Sequence, residues 1–91
     1  MTTDYHPIGC DQHSVLELLA LRQVPVEVQA ITDDGAPSTC SGRVSDLLTR
    51  GGAEYLVVRD AGGQTTSIRL DRLVTISRRD GDVLWRRESV V

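Results

Sequence analysis

The chain has 91 residues, with ten Arg, no Lys and thirteen acids, for a net charge of −3. That length holds one compact domain and leaves little room for a deep catalytic cleft, since a domain of this size buries only about 60–65% of its unfolded surface. A mildly acidic chain is a poor non-specific nucleic-acid binder, because that binding runs on phosphate neutralisation, and it fits a basic partner better. The aromatic residues are Tyr5, Tyr55 and Trp85, with no Phe, so the core has to come from Val, Leu and Ile, which favours strands. Cys10 and Cys40 are too few for a disulfide framework. No apolar leader follows Met1, and no apolar run approaches the roughly 18–20 residues of a membrane span. The expectation is a soluble, cytoplasmic protein with reduced thiols.

Residues 1–10 lack periodicity, and Pro7 holds them out of a helix, so they read as an N-terminal arm. From Asp11 onward Val15, Leu16, Leu18 and Leu19 supply a helical apolar face, with Gln12, Glu17 and Arg22 opposite. Two starts compete: Asp11 as N-cap, or a Ser14/Glu17 capping box. Ile8 fits a hydrophobic staple onto the helix, which ends near Arg22, ahead of Pro25.

The period then becomes two. Val24, Val26, Val28 and Ala30 alternate with Pro25, Glu27 and Gln29, a strand with one buried face whose Pro25 marks a start or an edge. After the turn "TDDGAPS", a second strand covers about Thr39–Thr49, with Val44 and Leu48 inward. A Gly-Gly connection leads into "EYLVVRD", an unbroken apolar run that reads as a central strand. "DAGGQ" turns the chain into "TTSIRL", and Asp71-Arg72 links that strand to "LVTIS", the last one. The fold expected is mainly β with one N-terminal helix: a small, five-stranded antiparallel barrel over residues 11–79, closed to remove its edges. Residues 80–91 read as a charged, loosely ordered tail.

Three segments carry more than a fold. "YHPIGCDQHSVLELL", "VSDLLTRGGAEYLVVRD" and "IRLDRLVTIS" resemble the Rof (YaeO) family, bacterial modulators of Rho-dependent transcription termination. The likeness rests on Tyr5, Pro7, Ile8, Cys10 and Asp11; on Ser45, Asp46 and Leu47; on Glu54 to Val58; and on Arg69, Leu70 and Asp71. Four such pieces in order, across residues 4–77, are far more specific than any one of them. The resemblance implies an Sm-like barrel that binds the N-terminal domain of Rho and obstructs its primary RNA-binding site, so that Rho cannot load on transcripts. A surface that grips phosphates is cationic, and a competitor for it needs carboxylates. On this resemblance the Rho-binding residues are Tyr5, Asp11, His13 and Glu17, with Asp46 and Arg50 on the second strand. It implies a monomer when free, with no cofactor and no direct nucleic-acid contact.

Other readings stay in view. Sm-like barrels usually bind RNA, and Arg78-Arg79 and Arg86-Arg87 offer cations for it, but stacking aromatics are nearly absent. His6, Cys10, His13 and Cys40 make a Cys₂His₂ set for Zn²⁺, in a spacing unlike the common zinc patterns. Cys10 reads more simply as a small buried apolar residue. Asp11 serves equally as a helix cap or a partner contact, while Asp46 and Asp71 fit turn or strand-end positions that bind backbone N–H groups. No third group orients a Cys10–His13 pair, and no phosphate loop stands out, so no enzyme is expected.

Overall fold

The computed structural model of the chain describes residues 8–87. Tyr5, His6 and residues 88–91 of the expected tail lie outside them. The helix α1 (Cys10–Arg22) begins at Gly9, which is extended (φ −65°, ψ 156°) and offers no side-chain cap. Neither expected cap is used, and the helix opens one residue before Asp11. The Ser14 hydroxyl instead donates back to the Cys10 carbonyl at 3.0 Å, and Asp11 sits in the first turn, where a carboxylate still favours the helix dipole. The far end closes as a Schellman turn. Gln23 is left-handed (φ 49°), with its N–H on the Ala20 carbonyl and the Val24 N–H on that of Leu19. Pro25 follows and cannot continue the helix.

Leu16 is fully buried and Leu19 nearly so, while Val15, Leu18 and Leu21 are exposed. The apolar face read from the sequence is therefore split, because four residues spread over 15–19 exceed what one contact face of a 3.6-residue helix can cover.

Six antiparallel strands follow: β1 (Pro25–Ile31), β2 (Pro37–Arg50), β3 (Ala53–Arg59), β4 (Thr65–Arg69), β5 (Leu73–Ser77) and β6 (Val83–Arg86), with a 3₁₀ turn at Leu70–Arg72 before β5. The sheet order is β4-β3-β2-β1-β5-β6. β1 alternates as read, with Val26, Val28 and Ala30 inward. It lies between β2 and β5, so Pro25 marks a strand start and not an edge. β3 is paired on both sides, as its apolar run implies.

The expected five-stranded, closed barrel needs two corrections. A sixth strand lies within the segment read as a loosely ordered tail, and no pairing joins β4 to β6, so the sheet keeps two edges. It bends through irregularities at Val44/Asp46, Gln29/Ala30 and Ile76/Ser77, since an extra residue on one strand kinks it and increases twist. β6 carries no sequence signal of its own, because four residues are too short to display a period.

One core gathers Leu16 and Leu19 of α1 with Val26, Val28, Val44, Leu56, Val58, Leu70, Leu73, Ile76 and Trp85. Ile8 packs against it from ahead of the helix, as a staple would. At Gly42 the end of β3 passes so close to β2 that a Cβ would collide with the Arg59 carbonyl. Trp85 brings β6 into the core, only 4% exposed, so Trp85→Ala is expected to cost about 3–5 kcal/mol. Urea unfolding measures this, and a loss under about 1 kcal/mol would put β6 outside the cooperative unit.

Candidate functional site

The inward side of α1 is tied down by more than its leucines. Gln12 is used twice: its Nε2 donates to the Arg86 carbonyl at 2.7 Å, and its own carbonyl accepts from Trp85 Nε1 at 3.2 Å. The helix is thereby stitched to β6. Arg87, just beyond, sends Nε to the Leu73 carbonyl at 2.7 Å. Both Gln12 bonds link residues more than 70 positions apart, which no local pattern announces.

His13 makes the second tie. Its Nδ1 lies 3.0 Å from Glu17 on the same helix and its Nε2 lies 2.6 Å from Glu54 at the start of β3. Both ring nitrogens face carboxylates, and only the imidazolium has a proton for each. Its pKa is accordingly raised above the usual 6.5, chiefly by the hydrogen bond to Glu54, with partial burial opposing and Glu17 adding. In the sequence Glu54 leads an apolar strand and belongs to the family resemblance, and nothing there points to His13 as its partner.

Facing outward from α1 are Asp11 and Glu17, with Leu18 and Leu21 between and beyond them. Leu21 is 81% exposed, the barest large apolar residue among those described. Beside this ridge a shallow depression of about 310 Å³ runs between α1 and β2, lined by Glu17, Ala20, Leu21, Ser45, Asp46 and Leu47. The bulge after Val44 sets Asp46 here. Asp46 is exposed, with Oδ1 accepting the Leu47 N–H at 2.8 Å; it binds a backbone N–H as read from the sequence, but at a bulge within β2 and not at a strand end. The arrangement offers two carboxylates over an apolar floor, suited to a cationic side chain with an aliphatic stem.

Of the expected contact residues, Glu17 and Asp46 line this depression, and Asp11 is exposed in the first turn of the same helix. His13 lies at its inner margin, with both nitrogens committed. Arg50 is elsewhere, its guanidinium 5.0 Å from the ring centre of Tyr55. Asp71 accepts two hydrogen bonds from Arg69, at 3.1 and 2.6 Å. Cys10 is exposed, contrary to its expected burial, because the helix starts on it. Cys40 is half-buried, and burial raises its thiol pKa. Among the described residues no group of three or more His, Cys, Asp or Glu is arranged to hold a metal ion. No helix among them is long and apolar enough to cross a membrane.

The profile of a family described as modulators of Rho-dependent transcription termination matches residues 7–83. The chain is 35% identical to Protein rof of Escherichia coli (strain K12) over 77 residues, 85% of this chain and 86% of that protein. The same figures hold for Protein rof of Shigella flexneri.

The His13 bridge carries a pH signature. A group whose folded pKa is raised lends stability that is complete below its unfolded value, near 6.5, and is lost as pH rises through the folded value. Following the imidazole by NMR, we expect His13 to titrate above 6.5, and Glu54→Gln to lower that value more than Glu17→Gln does. Equal effects would deny Glu54 the leading part.

Proposed function

Because the chain belongs to the family of modulators of Rho-dependent transcription termination, we propose that it binds Rho itself, at the N-terminal RNA-binding region, and inhibits termination by keeping RNA from loading there. The observation that carries this reading is the outer side of α1. Asp11 and Glu17 flank the exposed Leu18 and Leu21, and Asp46 stands across the depression. A region that holds RNA phosphates is cationic, so carboxylates complement it where further cations would repel. The exposed leucines add area that is released from water on docking, and the acids give orientation and rate of encounter. The inner side of the helix is anchored to β6 and β3, so the docking side is held in place before a partner arrives. Such preorganisation reduces what binding costs in ordering.

On this reading Tyr5 extends the contact from ahead of the helix, and His13 acts by holding Glu17. Arg50, stacked on Tyr55, has the weakest claim of the proposed set. We take the free chain to be a cytoplasmic monomer that works without metal or cofactor. An RNA-binding role gains nothing from the arginine that ends β4, since Arg69 is engaged by Asp71.

The double variant Asp11→Arg/Glu17→Arg should fold as the parent does, because both residues are exposed and Glu17 keeps 62% of its side chain in water. Its affinity for cognate Rho should fall by about tenfold or more, with termination restored in a transcription readthrough assay. A folded double variant that still binds Rho and still suppresses termination would place the interface elsewhere. Raising salt from about 0.05 to 0.5 M should weaken the parent complex, since exposed pairs are screened over about 8–10 Å or less. A salt-independent affinity, measured by calorimetry, would count against carboxylate-led docking.

A further inference from the structure

On the side of the molecule where β4 and the β1–β2 turn face one another lies a cavity of about 660 Å³, within the range of small-ligand sites. Its walls are Ile31 and Ile68, the hydroxyl of Ser67, the ring of Tyr55, and the ion pair Arg72–Asp33. We propose that this cavity is a binding site for a small ligand with one oxyanion group, a carboxylate or a phosphate, which takes the place of Asp33 on Arg72.

The two partners of that ion pair are placed very unequally. Arg72 Nη1 meets Asp33 Oδ1 at 3.0 Å, yet the Arg72 side chain is only 19% exposed and that of Asp33 is 94% exposed. Asp33 therefore loses almost nothing by letting go, because water replaces what it leaves. Arg72 cannot be compensated in this way. Its Nε is buried without a hydrogen-bond partner among the described residues, a condition rare for a charged group. A guanidinium is built to bind an oxyanion through two N–H groups, and Asp33 engages it through one Nη. An oxyanion entering from the cavity can take the Nη position that Asp33 occupies, while Asp33, already almost wholly in water, moves aside.

The rest of the cavity defines the body that the oxyanion would carry. Ile31, Ile68 and Tyr55 give apolar and aromatic walls, and Ser67 and Thr66 line it with hydroxyls. The Tyr55 ring is fixed by Arg50 over it. Arg69 also lines the cavity but is held by Asp71, which leaves Arg72 as the receiving cation. Asp33 and Asp34 at the rim would repel a run of phosphates, so the site suits a free small molecule and not an RNA strand. Nothing in this proposal depends on how the chain engages Rho.

The test is a titration of the isotope-labelled full chain, following the arginine Nε–H signals by NMR. The probes are acetate, inorganic phosphate, adenosine monophosphate and a short single-stranded RNA. A saturable shift of the Arg72 signal is expected with phosphate or acetate, and about tenfold tighter binding with the monophosphate, whose ring meets Tyr55. Asp33→Asn, at an exposed position that folding does not need, should tighten binding by about three- to fivefold by removing the competitor. Arg72→Gln should abolish it. The proposal is overturned if the Arg72 signal does not saturate by about 10 mM of any small probe, or if Asp33→Asn leaves affinity unchanged. Tighter binding of the RNA than of the monophosphate would overturn it in favour of a strand-binding groove.

Discussion

Leu16 and Leu19 lie on one side of α1, and both are removed from water against the sheet; with them seated, the helix has no rotational freedom left. That constraint decides which residues the protein offers to the outside. If the helix were turned by one residue, about 100°, Glu17 would enter the core and Leu16 would leave it. The polar ties act in the same direction. Gln12 and Trp85 hold the first turn to β6, and His13 reaches Glu54 on β3. Asp11, Glu17, Leu18 and Leu21 are outward because their neighbours are inward.

The second consequence concerns the sheet. A six-stranded sheet this small can surround a core only if it bends, and the bulge after Val44 that helps it to do so also sets Asp46 beside the helix. One irregularity thus serves the fold and completes the outward surface. The same bending leaves β4 and the β1–β2 turn facing each other across a cavity, because no strand pairing closes the gap. An open sheet is what gives this chain, for all its shortness, two separate surfaces to use.

The features that the sequence displays are those with a local cause. The alternation of Val26, Val28 and Ala30, the punctuation by Pro25 and the glycine turns, and the end of α1 at Arg22 all come from backbone sterics and nearest neighbours, so the chain shows them without its fold. What stayed hidden has partners far away. Glu54 looks like a strand's leading polar residue until His13, 41 positions earlier, is found on it. Trp85 looks like a solitary aromatic in a charged tail until the core accepts it. The inner and outer leucines of α1 could not be told apart from periodicity, since the helix carries apolar residues on both sides and only the sheet selects between them. Three of the expected contact residues were legible as exposed acids. That Asp46 stands beside Glu17 depended on a bulge that no residue type foretells.

The distribution of paired charge bears on what the surface can do. Arginine supplies every cation of this chain, and around the 3₁₀ turn that charge is used internally, Arg69 on Asp71 and Arg72 on Asp33. Near α1 the balance is reversed. Asp11 and Asp46 have no cation paired with them among the described residues, and Glu17 shares a histidine with Glu54. Excess carboxylate at one exposed patch costs stability through self-repulsion, a cost the fold bears without returning anything to the core. It is offset only when a cationic surface arrives. This is the physical reason to look for the partner at α1, where charge is left over, and for a small ligand at Arg72, where a buried donor is.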